Sequence, residues 1–357
     1  MTKKDRLDAY LAANRLEAVW FARPNNFAWL TGGSNVVSHE SRIGEAAAGY
    51  DGDSVVVVTN NIEADRIRDE QVSGSVDVAT YQWYEETLSK AVRRTSPAPA
   101  GADFDVEGFE TFDPQPLRRP LTEADIGRHR ELGDDTAAAI ASVCRDLEPS
   151  DTEVSVAARL RAALGERGCA APVVLVGGGE RASRYRHFPP TSAALGDYAL
   201  VSVVAESGGL HASCTRTVAF DAPEWLERRH EVATRVETTA LAASQQASID
   251  GGTAGDVFET ITQAYADSGF EGEWRAHHQG GAIGYAGREW FAEPGLDVTV
   301  ELPMSFGWNP TVQGAKSEGT VLVTEEAIEP LTTTGDWPMR TVSTAGVQVE
   351  RPDILQL

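Results

Sequence analysis

Lysine is almost absent from this chain, standing only at Lys3, Lys4, Lys90 and Lys316. With 31 basic residues against 54 acidic ones, the formal charge is −23. No basic stripe exists to neutralise phosphates, which excludes nucleic-acid binding through backbone contacts. The same imbalance implies strong self-repulsion in dilute buffer. It reads as a halophile-type acidic surface suited to high salt, where charges are screened; the plainer alternative is a moderately acidic cytosolic protein. Cysteine is scarce too. Cys144, Cys169 and Cys214 form no paired spacing and so no disulfide framework, and the charged start Met1-Thr2-Lys3-Lys4-Asp5-Arg6 carries no signal-peptide pattern. Both point to a reducing compartment and a cytoplasmic protein. No apolar run approaches the length of a membrane span, and there is no internal repeat or low-complexity tract. What remains is an ordinary globular composition, 41% hydrophobic over 357 residues, enough for one large domain or two medium ones.

The spacing predicts a short helix over 4–14 with Leu7, Tyr10 and Leu11 on one side, then a buried strand Ala18–Phe21 ended by Pro24-Asn25-Asn26. A strand over Val55–Thr59, a helix over Asn61–Glu70 and a strand over Val76–Ala79 complete an α/β alternation. Residues 95–102 and 113–120 are broken by proline, and the domain boundary falls near 120. The second half opens with helices over 122–147 and 152–167, the latter behind an N-cap run Ser150-Asp151-Thr152. Strands follow at Val173–Val176, Tyr198–Val204 and 210–220, then helices at 223–246 and 255–268, then strands and turns. The expected fold class is an α/β N-terminal domain (1–120) plus an α+β C-terminal domain (121–357). Gly177-Gly178-Gly179 lacks the lysine of a phosphate-binding loop and reads as a connection.

Several motifs stand in a particular order: His187-Phe188-Pro189-Pro190-Thr191 before Gly196-Asp197; Ser213-Cys214-Thr215-Arg216-Thr217; His277-His278-Gln279-Gly280-Gly281-Ala282-Ile283-Gly284; Trp308-Asn309-Pro310; and Lys316-Ser317-Glu318 before Thr320-Val321-Leu322-Val323. Together they resemble the pita-bread superfamily of creatinase, methionine aminopeptidase and Xaa-Pro peptidases, over nearly the whole chain. The N-terminal part resembles the smaller domain of creatinase and prolidase types. The resemblance implies a pita-bread C-terminal domain, a homodimer and a small-molecule or short-peptide substrate.

It also implies two divalent metals held by two aspartates, a histidine and two glutamates, hard donors that bridge cations and activate water. Carried over position by position, these ligands fall on Ser202, Ser213, Gly281, Asn309 and Glu318. Only Glu318 keeps its type. Two hydroxyls, an amide and a glycine supply too little charge for a dinuclear site, so no cofactor is expected, with a single relocated divalent metal left open. Creatinase resembles this arrangement in working without metal through a histidine. His187 matches that histidine's place, and Gly287-Arg288-Glu289 is similar to a run in creatinase. Ser202 departs from the creatinase pattern, which has glutamate there.

The candidate residues follow. His187, in a turn with Arg181, Arg184 and Arg186, is the candidate proton shuttle, since an ordinary imidazole titrates near neutrality; the alternative is an exposed loop histidine. His277 and His278 are candidates for substrate hydrogen bonding or for a relocated metal. His211 alternates onto the face of Ser213 and is expected to converge with His187, His278 and Glu318 if that face lines a cavity; the alternative is that the histidines satisfy local bonds. Glu318 is a base, an ammonium anchor or a structural ion-pair partner, with Lys316 and Arg288 as neutralising groups. Asn309 is a candidate donor to a polarised carbonyl or a turn asparagine before proline. Ser202 and Ser213 have no nucleophile elbow around them, and Cys214 alternates into the core. By resemblance Phe27 or Trp29 caps a neighbouring subunit's pocket; the alternative is core packing. The expected function is a metal-independent hydrolase of a small amide or amidine, with His187, His278, Glu318 and Asn309 catalytic and His211, His277, Arg288, Lys316, Phe27 and Trp29 binding substrate. The alternatives are a noncatalytic binding protein and a conventional metal-dependent Xaa-Pro aminopeptidase.

Overall fold

The computed structural model describes residues 1–38 and 40–357. They divide into two compact units, Met1–Thr122 and Glu123–Leu357. The first opens with α1 (Lys3–Asn14), whose start is fixed by a capping box: Thr2 accepts from the Asp5 amide while Asp5 accepts from the Thr2 amide. Then come β1 (Ala18–Phe21), α2 (Pro24–Thr31), β2 (Ala46–Tyr50), β3 (Val55–Asn60), the turn α3 (Ala64–Arg66), β4 (Asp77–Tyr81), α4 (Leu88–Thr95), β5 (Ala100–Ala102) and β6 (Glu110–Thr111). Pro24 ends the strand and serves the first turn of α2, where its missing amide costs nothing. The strands form one mixed sheet in the order β4-β3-β2-β1-β5-β6.

Two of these strands carry no pattern in the sequence. β2 reads Ala-Ala-Ala-Gly-Tyr and β5 Ala-Gly-Ala, compositions with little strand preference. Packing selects them. A Cβ at Gly49 would lie 2.7 Å from the ring of Trp20 on the neighbouring strand, so the tryptophan lies flat only over a glycine.

Phe27 and Trp29 are fully buried inside this unit. Phe27 packs with Ala46, Ala48, Val57 and Ile67, and Trp29 sits edge-on to Phe21 at 5.9 Å. The expectation that either caps a neighbouring pocket is corrected: α2 turns both rings against the sheet, leaving no surface for a ligand.

The second unit runs α5 (Glu123–Arg145), α6 (Glu153–Gly165), β7 (Ala170–Gly178), α7 (Gly179–Ala182), β8 (Tyr198–Ser207), β9 (Leu210–Ala219), α8 (Glu224–Asp250), α9 (Ala254–Asp267), β10 (Gly280–Ile283), β11 (Met304–Trp308), β12 (Thr311–Val312), β13 (Ala315–Lys316), β14 (Val321–Val323), β15 (Ile328–Pro330), β16 (Met339–Thr344), β17 (Val347–Pro352) and β18 (Leu355–Gln356). Thr152 caps α6, and Gly251 in the left-handed region ends α8. Two four-stranded sheets, β18-β9-β8-β7 and β10-β11-β14-β15, are joined by a bridge between Cys214 and Gly319. That bridge brings β9 against the Lys316–Gly319 segment. Cys144, Cys169 and Cys214 are buried free thiols. No helix among the described residues is long and apolar enough to cross a membrane.

Candidate active site

The site is assembled where β8 and β9 meet the segment leaving β13. In the β8–β9 register Ser202 faces Thr215 and Val204 faces Ser213. Alternation along 316–318 sends Lys316 and Glu318 one way and Ser317 the other. Glu318 accepts from Lys316 Nζ at 2.7 Å, Arg288 Nη2 at 2.9 Å and Thr215 Oγ1 at 2.8 Å. Since Thr215 gives its only hydroxyl proton to Glu318, Ser202, 2.7 Å away, must donate to Thr215. Ser213 Oγ accepts from Arg288 Nη1 at 3.5 Å. The Ser202 proton is thus committed to Thr215, while Ser213 Oγ serves as an acceptor.

Burial alone would raise the Glu318 carboxyl, but the adjacent Lys316 and Arg288 cations hold it down to about 2. The side chains of Lys316, Arg288 and Glu318 are each within 6% of complete burial. Two basic side chains therefore share one carboxylate.

Beside this group stand three imidazoles. His187 lies in the turn after α7; His277 and His278 lead into β10. His187 Nε2 and His277 Nε2 are 3.1 Å apart, His277 stacks on His278 at 4.2 Å, and one ligand atom from each of the three falls within 4.8 Å of the others. His187 and His278 are exposed; His277 is buried. Burial and then the Lys316 charge lower His187 from its ordinary value. Burial with Lys316 pushes His277 to about 2, and burial with Arg288 and Lys316 pushes His278 to about 4. All three are therefore neutral near pH 7, and in the His187–His277 bond one Nε2 donates and the other accepts. His277 Nδ1 has no partner.

The trio is positioned by groups to which the sequence reading assigned no role. Arg186 donates to Thr311 Oγ1 at 3.0 Å and pairs with Glu273, tying the His187 turn to the segment ahead of His277. Gln279 Nε2 donates to the His277 carbonyl at 2.6 Å, while its Oε1 accepts from Tyr265. Under the Lys316–Gly319 segment, Glu237 of α8 accepts from Ser317 Oγ and the Gly319 amide and pairs with Arg351. Arg186 had a sequence signal in its place beside His187. Glu237 and Arg351 had none, being 80 residues or more from what they hold or one another.

His211 stands outside the trio. Its ring bonds the Gly209 carbonyl in its own hairpin at 3.1 Å, and its charge environment is Glu206 and Glu289. The expected convergence of His211 with His187, His278 and Glu318 is corrected to one of His187, His277 and His278 beside Glu318. Asn309 is buried between β11 and β12 with its side-chain oxygen unpartnered. At Gly281 a Cβ would lie 2.1 Å from the Trp290 carbonyl oxygen, so the position matched with the metal histidine holds no side chain in this packing.

The model of metallopeptidase family M24 matches residues 127–325. No curated protein matches the chain. Among solved structures, the prolidase from Pyrococcus horikoshii OT3 superposes with a TM-score of 0.75 at 17% identity, covering 93% of this chain and 98% of that one. The Xaa-Pro dipeptidase from Bacillus anthracis gives 0.73 at 14% identity, covering 99% of each. The N-terminal domain of FACT complex subunit SPT16 from Cicer arietinum (chickpea) gives 0.67 at 13%, covering 94% and 97%. At these identities the likeness is one of fold.

Proposed function

The chain belongs to metallopeptidase family M24 and has its pita-bread fold, and from that premise we propose that it is a hydrolase of a small amide or amidine C–N bond, acting through histidine rather than through paired metals. One observation carries the reading: Lys316 and Arg288 both lie on Glu318, the single carboxylate left among the five ligand positions. Two divalent cations do not fit there. Their attraction to one carboxylate would compete with two protein cations already in contact with it. Ser202 and Ser213 offer neutral hydroxyls in place of carboxylates, and Gly281 has no room for an imidazole.

In this reading the neutral His187 takes a proton from water as the oxygen adds to the substrate carbon. The imidazolium then returns that proton to the departing nitrogen as the C–N bond breaks. His278 shares the open face with His187, His277 holds it in orientation, and Asn309 binds the group under attack. Lys316, Arg288 and Glu318 position the substrate. The reading extends to a homodimer in the cytoplasm of a halophilic cell, supported by the resemblance and by the charge of −23.

The names of the prolidase and dipeptidase neighbours favour a metal-dependent Xaa-Pro peptidase instead, and the spacing of His187, His277 and His278 would suit a single divalent ion. The SPT16 neighbour, named as a subunit of a complex, favours a binding protein. One experiment separates these readings. The protein is dialysed against chelator at high salt, analysed for metal, and assayed on amides, amidines and Xaa-Pro dipeptides. Hydrolysis that survives chelation and is lost in His187→Ala supports the proposal. Activity restored only by added divalent ions, with about one or two bound per chain, overturns it, as does the absence of turnover on every substrate.

A further inference from the structure

Glu153 follows the N-cap run Ser150-Asp151-Thr152 and opens α6, where a negative charge suits the helix dipole, yet its side chain is completely buried. It points at the loop that carries His187. Residues 179–190 leave β7 at Gly178, pass through α7 and the His187 turn, and end at Thr191. Glu153 Oε1 accepts from the Gly178 amide at 2.9 Å. Its Oε2 accepts from the Thr191 amide at 2.9 Å and from the Thr191 hydroxyl at 2.7 Å. Arg181, inside the loop, pairs with the same Oε2 and donates onward to the Pro189 carbonyl at 3.1 Å. One carboxylate therefore ties the entry, the middle and the exit of the loop through charge-assisted bonds.

The glycine run ahead of the loop serves the same closure. A Cβ at Gly177 would lie 2.6 Å from the ring of Phe188, and one at Gly178 would lie 2.5 Å from the Ala194 carbonyl oxygen. The strand entering the loop and the segment leaving it are pressed together, with Phe188 packed into the core beside Ala182, Tyr198 and Leu200. His187 is exposed between two anchored neighbours, Phe188 in that core and Arg186 on Thr311 and Glu273. Its ring has to meet His277 Nε2 at 3.1 Å, and a hydrogen bond weakens steeply once its geometry is lost. Arg186 and Phe188 hold the residues on either side of His187. Glu153 fixes both ends of the loop at once, which removes most of the conformations the loop could otherwise explore.

We propose that Glu153 is a positioning residue for His187: by closing the loop on Gly178 and Thr191 it holds the imidazole against His277 in the place proton transfer requires. Being buried, Glu153 touches no substrate and acts through the loop alone. That this placement governs turnover rests on the hydrolase reading; that Glu153 sets the placement does not.

The full chain is labelled with 15N-histidine, and the ring-nitrogen shifts of His187 and His277, assigned through His187→Gln and His277→Gln, read which Nε2 donates and which accepts. The wild type should show one protonated and one bare Nε2 in this pair. Glu153→Gln, which keeps the size of the side chain but cannot pair with Arg181, should abolish that asymmetry. It should also lower kcat about tenfold or more with KM within about threefold, because misplacing a proton-transfer group costs rate rather than binding. Gly133→Ala, whose Cβ would press on the Leu331 carbonyl oxygen at 2.6 Å, controls for lost stability alone and should keep the asymmetry. An asymmetry that is absent from the wild type, survives in Glu153→Gln or disappears equally in Gly133→Ala overturns the positioning role, as does a Glu153→Gln variant that loses it and keeps its kcat. Asymmetry lost in Glu153→Gln while the wild type turns over no substrate upholds the placement by Glu153 and overturns the hydrolase reading instead. If Glu153→Gln does not fold, Thr191→Val, which removes one of the donors, decides it: a weakened asymmetry supports the role and an unchanged one overturns it.

Discussion

Gly281 shows how packing leaves a position no room for a side chain. A Cβ there would meet the backbone oxygen of Trp290 at 2.1 Å and its ring at 2.8 Å, and a backbone atom moves only with its strand. Gly281→Ala should therefore destabilise the protein by at least about 2 kcal/mol, and Gly281→His should create no metal site. Thermal unfolding with and without zinc checks both; a stable Gly281→His variant that gains a tightly bound ion would show that the packing gives way. The pairing of Lys316 and Arg288 with Glu318 was legible in the sequence, because alternation puts 316 and 318 on one face and a buried carboxylate needs a cation. Joining His277 to His187 was not, because a turn and a strand entry 90 residues apart meet only through the fold. His211 misled for a related reason: alternation gives a side chain's face, not whether its ring bends back onto its own hairpin.

At the scale of elements, the site depends on a helix that contributes nothing to its surface. Glu237 of α8 holds Ser317 and Gly319 on either side of Glu318 and is clamped by Arg351 of β17. Burial raises the Glu237 carboxyl, with Arg351 opposing, so the pair stands or falls together. Glu237→Gln leaves the Arg351 charge buried without its counterion and should cost about 3–5 kcal/mol. Adding Arg351→Met should recover much of that loss, because removing both charges is cheaper than stranding one. Urea denaturation of the two single variants and the double variant gives the coupling; simple additivity would mean the clamp is not a unit. Helices α8 and α9 lie where the sequence reading expected them, at 223–246 and 255–268. β2 and β5 were not legible, since alanine and glycine mark a strand only through the tryptophan packed over them. The Glu237 clamp was equally hidden, because an acid on the buried face of a 27-residue helix has no local signal.

For the whole molecule, net charge and buried histidine pull stability in opposite directions as conditions change. At −23 the folded chain repels itself at low ionic strength, and at about 1 M salt the screening length falls to about 3 Å. The melting temperature should rise steeply between dilute buffer and molar KCl; a flat response would remove the halophilic reading. With repulsion screened, the histidines decide the pH response. His129 is fully buried, bonded to the His211 carbonyl at 2.8 Å and to Ser305 at 3.1 Å, and burial pushes it down to about 4. His230, held by the Pro352 carbonyl, is pushed to about 4 by burial and Arg340. An unfolded histidine titrates near 6.5, so between pH 6.5 and 4 the unfolded chain binds the proton first. Each group's contribution is complete above about pH 6.5 and is lost as the pH falls towards 4, up to about 3 kcal/mol for a shift of this size. At constant molar salt the melting temperature should fall from pH 7 to pH 5, and His129→Gln, though less stable at pH 7, should fall less. A variant that tracks the wild-type slope over that window would mean His129 is not kept neutral by its burial and that the acid limit of this fold lies elsewhere.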